Sequence, residues 1–194
     1  MPTPHPIARP QTDVAAEIRA IALEMFAEHG YTGTSLQQIA DAAGYSKSSV
    51  LYHFRSKESL FEEALAPSVA QIEVFLDSIV EKATSDDLRG QFTADFVDLL
   101  LAHRLAAHII INQGQTLSDI PTVDRARGLI ERIGQSFMSD LPSTKQRIRL
   151  GVALAGAAYI MVATRPSATE TEDIDEVREA LIDVVGELIT PLSV

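Results

Sequence analysis

Between Thr34 and Lys57 the chain concentrates side chains that hydrogen-bond phosphates and base edges. Gln37, Gln38, Ser46, Ser48, Ser49, Tyr52 and His53 supply amides, hydroxyls and an imidazole, while Lys47, Arg55 and Lys57 supply charge. From Gly44 to Lys57 there are three cations and no acid, in a chain whose formal net charge is −11. Such groups position a protein on a nucleic-acid backbone and read base edges in a groove. The plain alternative is a polar helical hairpin with capping serines.

Other chemistry has weaker material. Asp95, Asp98, His103 and His108 have metal-ligand types, but the histidines are five apart, whereas a zinc pair on one helix face is usually four apart. No Gly-rich phosphate loop or nucleophile elbow occurs, and catalysis is not expected. There is no cysteine, which excludes disulfides and thiolate metal sites. No cofactor and no metal are expected. A second polar set lies within an apolar run: Arg104, His108 and Asn112 recur at i+4 among Leu101, Leu105, Ile109 and Ile110. With Tyr159 they are candidates for holding a small molecule in a mostly apolar pocket; a solvated helix edge, or a core tyrosine, is the alternative.

The elements that position the first cluster can be read from caps and periodicity. Ser35 caps a helix whose Leu36, Ile39, Ala40 and Ala43 form an apolar face. Gly44 stops it, since glycine enters the left-handed C′ conformation at little cost. Ser46 caps a second short helix, Lys47 to Phe54, with Val50 and Phe54 inward. Ser56 caps a third, with Leu60, Phe61 and Leu65 on its buried side. Two short helices joined by a Gly-containing turn make a helix-turn-helix, whose second helix enters the major groove. Upstream, a helix beginning at Thr12 or Asp13 carries Ile18, Ile21, Ala22, Met25 and Phe26 and stops at Gly30.

The composite resembles the DNA-binding domain of tetracycline-repressor-like (TetR-type) bacterial transcriptional regulators. The matching residues are Ile21-Ala22-Leu23, Phe26, Gly30-Tyr31, Thr34-Ser35, Ile39-Ala40, Ala43-Gly44, Ser46-Lys47, His53-Phe54, Ser56-Lys57-Glu58 and Leu60. The family commonly has an aromatic two residues before the histidine. Here Leu51 stands in that place with Tyr52 beside it, so either is open as the main base contact. The resemblance implies base contacts from Gln37, Lys47, Ser48, Ser49 and Tyr52, and phosphate contacts from Thr34, Ser35, His53 and Lys57. It further implies a repressor of pseudo-palindromic operator DNA, released by a small-molecule effector and dimerised through the last two helices. A helical sensor that no longer binds DNA is the alternative.

The rest of the chain reads as helix. The organisation expected is an arm over 1–12, where four prolines fall, a DNA-binding domain over 13–60, and a ligand-binding and dimerisation domain over 61–194. Residues 1–66 carry five cations against eight acids, so the basic surface is local to 44–57 and the body is acidic. Pro67 is expected to kink the fourth helix. A helix from Asp86 or Asp87 is read as continuing past His103 into Ile109–Ile111. Pro121 or Thr122 opens another, with Ala126, Leu129, Ile130, Ile133 and Phe137 buried, until Leu141-Pro142 breaks it. Ser143 caps a long helix reaching Thr164 and ended by Arg165-Pro166, and the last runs from Ile174 to Ile189. Residues 153–161 are apolar nearly all round, and such a helix must be covered on every side. A two-fold four-helix interface would do that. With no signal-peptide pattern and no apolar run of membrane-spanning length, a soluble cytoplasmic all-α protein is expected.

Overall fold

The structure, a computed structural model, describes residues 11–82, 88–139, 143–163 and 173–189. The expected arm up to Pro10, the helix start at Asp86 or Asp87, and the Leu141-Pro142 and Arg165-Pro166 breaks lie outside those residues. Every element among the described residues is a helix: α1 Gln11–Gly33, α2 Leu36–Ala43, α3 Lys47–His53, α4 Lys57–Lys82, α5 Leu88–Ala102, α6 Arg104–Gln113, α7 Pro121–Ser139, α8 Thr144–Ala163 and α9 Ile174–Ile189. The all-α class read from the sequence is therefore the observed one. None of these helices is long and apolar enough to cross a membrane. The chain divides into two compact units between Ala66 and Pro67, within α4. Pro67 leaves α4 a single element.

The first unit is organised by α1. Ile18, Ala22 and Phe26 recur at i+4 and are fully buried, as are Ile39 and Ala40 of α2, Val50 of α3 and Leu60, Phe61 and Leu65 of α4. Phe26 meets Phe61 edge-on with centroids 5.0 Å apart, and Tyr31 meets Phe61 at 4.8 Å. Full burial of each such ring contributes roughly 1.5–3 kcal/mol. Gly30, at φ 77° and ψ 161°, breaks α1 where the sequence reading stopped it, and one further turn follows.

In the second unit α5 packs against α8 and α9, and α6 against α5, α7 and α8. One cluster joins Phe75, Phe96, Val97, Ala153, Ala157, Met161, Leu181 and Val185; another joins Val69, Leu76, Ile110, Ala126 and Leu129. Arg178 of α9 forks onto Asp98 of α5 at 2.5 and 2.8 Å and holds that carboxyl below its ordinary range, chiefly through the hydrogen bond. Arg149 of α8 donates to the Leu188 and Glu187 carbonyls at the end of α9, both at 3.0 Å. Lone carbonyls of a last helical turn take such donors readily.

Two sequence readings need correction here. The helix read through His103 is two, because His103 sits at φ −118° and ψ 26° and its ring Nδ1 lies 3.0 Å from Ser68 Oγ. No glycine or proline marks that break. Ile130, read as buried in α7, is 45% exposed, while Ala126 and Leu129 are buried as expected.

Candidate nucleic-acid interface

The recognition surface is built by caps. Ser35 is extended at φ −115°, accepts the Gln38 amide at 3.3 Å, and gives its own amide to Gln38 Oε1 at 2.8 Å, a reciprocal capping box. Gly44 closes α2 in the left-handed region at φ 72°, and its amide returns to the α2 carbonyls. Ser46 then caps α3 by accepting the Ser49 amide at 3.1 Å. The helix ends at His53, one residue short of the sequence reading. Phe54 is extended at φ −130° and turns its fully buried ring into the core.

On the outer face, Ser46 Oγ lies 2.8 Å from both Ser48 Oγ and Ser49 Oγ. A serine hydroxyl has one hydrogen and two lone pairs. One lone pair takes the Ser49 amide, so one of the two neighbouring hydroxyls donates to Ser46 and the other accepts from it. The pair therefore presents outward one free hydrogen and, beside it, a hydroxyl with lone pairs only. Lys47 is exposed on the same turn, and Gln37 is exposed on α2 with its amide on Asp41 at 2.7 Å. Tyr52 is 75% exposed and stands edge-on to His53 at 5.2 Å, whereas Leu51 is 42% exposed. Ser48, Ser49, Tyr52 and His53 line an open depression of about 350 Å³ with Tyr45 and Val14 of α1. Its rim is tied by Tyr45, whose hydroxyl donates to Glu17 at 2.9 Å. That bond has no local sequence signal, the two residues being 28 apart.

Two residues expected at phosphates are instead turned inward. Thr34 is buried, and its hydroxyl is shared between the Gly30 carbonyl at 2.8 Å and the Met25 carbonyl at 3.2 Å. Lys57 is half-buried; its ammonium donates to the Tyr31 carbonyl at 2.8 Å and the Thr34 carbonyl at 3.1 Å, 4.2 Å above the Tyr31 ring. Both donate to main-chain carbonyls at or beside the Gly30 break, and the Tyr31 carbonyl also takes the Thr34 amide at 3.4 Å. Of the phosphate set, Ser35 is exposed and His53, like Lys57, is half-buried.

The polar set of the second unit gathers in part. His108 Nδ1 lies 3.4 Å from the Val162 carbonyl and 3.4 Å from Asn112 Nδ2. Arg104 is exposed, and Tyr159 is 63% exposed on α8 rather than part of the core. The residues considered for a metal are spent elsewhere, Asp98 on Arg178 and His103 on Ser68, and among the described residues no three metal-ligand side chains assemble. Among the polar contacts that sequence reasoning missed is His103 with Ser68, a pair 35 residues apart. Burial pushes the His103 imidazole below its ordinary value.

Fold and surface together define the class: among the described residues, an all-α protein with a helix-turn-helix head. Residues 18–64 match the family described as "Bacterial regulatory proteins, tetR family". The match falls within the head, and the resemblance read from the motif residues is borne out. The chain is 35% identical over 111 residues to the HTH-type transcriptional repressor KstR2 of Mycolicibacterium smegmatis, a match covering 56% of this chain and about half, 53%, of that protein. It is 25% identical over 196 residues to the putative mycofactocin biosynthesis transcriptional regulator MftR of Mycobacterium tuberculosis, covering 96% of each. The solved structure of the ketosteroid transcriptional regulator KstR2 of Mycobacterium tuberculosis superposes with a TM-score of 0.69 over 89% of this chain and 93% of that one, at 19% identity. The last of these concerns the fold alone. The named relatives are regulators, which favours a regulator over an enzyme.

Proposed function

We propose that this chain is a cytoplasmic transcriptional repressor that binds a two-fold operator as a homodimer and is released when a small molecule occupies its second unit. The observation that carries the reading is the α2–Gly44–α3 unit, capped at both helix starts and presenting hydroxyls, an amide, a lysine and an exposed aromatic on one acid-poor surface. Lys47, Ser48, Ser49 and Tyr52 contact bases, and Gln37 reaches in from α2. Tyr52 takes the aromatic role that the family places two residues before the histidine, because it is far more exposed than Leu51. Ser35 and His53 contact phosphates, helped by the amides at the start of α2. The names of KstR2 and MftR support regulation of transcription, and the first supports repression.

Selection of duplexes from a random pool by the whole chain tests this. Enrichment of a two-fold sequence with half-sites about one helical turn apart, roughly 34 Å, is expected. Its affinity should fall linearly with salt on a log–log scale. If the folded chain enriches nothing, the operator reading is wrong and a sensor without DNA binding remains. Release is tested by screening small molecules by thermal shift, then measuring affinity for the selected duplex with each hit. A ligand that moves the protein from mostly bound to mostly free must prefer the released form by about 5.5 kcal/mol. Half-buried His108 and exposed Asn112, Arg104 and Tyr159 are the polar residues assigned to it.

A further inference from the structure

Lys57 opens α4 directly after Ser56, which caps the helix by accepting the Ser59 amide at 3.0 Å. One turn later on the same face of α4 comes Phe61, since residues four apart are neighbours on a helix surface. The two side chains grip one short segment that runs from the last turn of α1 to Thr34. Lys57 holds the carbonyls of Tyr31 and Thr34, and Phe61 packs edge-on against the Tyr31 ring at 4.8 Å. Thr34 holds the other side of that segment through Gly30 and Met25, and the next residue is Ser35, the cap of α2. Burial, and after it the Glu58 and Glu62 carboxylates, push the Tyr31 phenol above its ordinary value, so the ring stays neutral under the ammonium.

From this geometry we infer that Lys57 is a positioning residue for the recognition helix, tying the first turn of α4 to the start of α2, and not a contact to DNA phosphate. Charge-assisted bonds to two carbonyls, with an aromatic face beneath, hold an ammonium more firmly than a solvated surface site does. The segment they fix sets where α2 begins, and α2 carries Gly44 and α3 behind it. The inference rests on the operator reading above only for its DNA measurement.

The test compares wild type, Lys57→Met and Lys57→Arg on the duplex selected by wild type and on a random duplex, across salt concentrations and well below the melting temperature. Methionine keeps most of the stem and removes the donors and the charge. A positioning role predicts that Lys57→Met lowers the operator-to-random affinity ratio about tenfold with the salt slope unchanged, and that Lys57→Arg restores much of the ratio. A phosphate contact predicts a slope shallower by about two units, one for each protomer of the dimer, with the ratio intact, since each neutralised phosphate contributes about 0.9. That result, or an unaltered ratio, would overturn the inference. A second measurement needs no variant and no DNA: reductive methylation of the free wild-type chain, followed lysine by lysine. Lys57 should react several-fold more slowly than exposed Lys47, and equal rates would overturn the clamp even if Lys57→Met fails to fold. If wild type selects no duplex, the operator reading fails while the methylation rates still decide the role of Lys57.

Discussion

Ser46 sets the hydrogen bonding of both its neighbours on the proposed base-reading face. Its single hydrogen obliges Ser48 and Ser49 to present different faces outward, one donating and one accepting. Replacing Ser46 by aspartate keeps a strong helix cap but supplies lone pairs only, so both neighbours donate inward and both present lone pairs outward. The Ser46→Asp variant should therefore shift its selected bases toward those offering donors, cytosine N4 and adenine N6, and away from guanine N7 and O6. Identical base preferences would refute the coupling. Replacing Tyr52 by alanine should cost specific binding about 1–3 kcal/mol and random-duplex binding much less; equal losses would remove it from the base contacts. In the second unit, burial lowers the His103 value from the ordinary 6.5, so the neutral ring is the form the fold prefers. The unfolded chain then binds the proton more readily, and stability is full above that ordinary value and declines as pH falls below it. Wild type should lose more melting temperature between pH 7.5 and 5.5 than His103→Gln does.

Among elements, the head was the more legible part of the sequence, because its boundaries are written in local chemistry. Ser35, Gly44 and Ser46 each act on backbone groups within a few residues, and each sits where the periodicity placed it. What the sequence left unseen is tertiary. The break at His103 goes with a contact to Ser68 in another helix, and Thr34 and Lys57 turn inward onto main-chain carbonyls, those of Lys57 being 26 and 23 residues away in sequence. The two positive-φ glycines should also differ. Gly44 lies in the left-handed helical region with open space where a Cβ would stand, so Gly44→Ala should cost about 1–2 kcal/mol. Gly30, at φ 77° and ψ 161°, occupies a region essentially reserved for glycine. Gly30→Ala should therefore destabilise the head more than Gly44→Ala, as measured by denaturant unfolding; the reverse order would deny the strain at Gly30.

For the molecule as a whole, α8 carries two kinds of apolar residue. Leu150, Ala153, Ala157 and Met161 are buried within their unit, while Ile148, Val152 and Ile160 are 46–60% exposed. Val184 and Ile174 of α9 are likewise about half exposed, at 53% each. The sequence showed that this helix is apolar nearly all round, but periodicity alone does not say which side its own unit covers. A second copy laid against the exposed side is the arrangement proposed above. Val152→Glu should then shift the chain from dimer to monomer in analytical ultracentrifugation and weaken operator binding far more than random-duplex binding. A variant that stays dimeric would move the interface elsewhere.

The division between Ala66 and Pro67 makes that peptide bond a natural joint for recombination. The ties described here respect it: Tyr45 with Glu17 and Lys57 with Tyr31 lie before it, Ser68 with His103 and Asp98 with Arg178 after it. A chimera spliced there inherits each of these ties whole. Exchange of heads at this position would then pair one operator vocabulary with another effector without redesigning either.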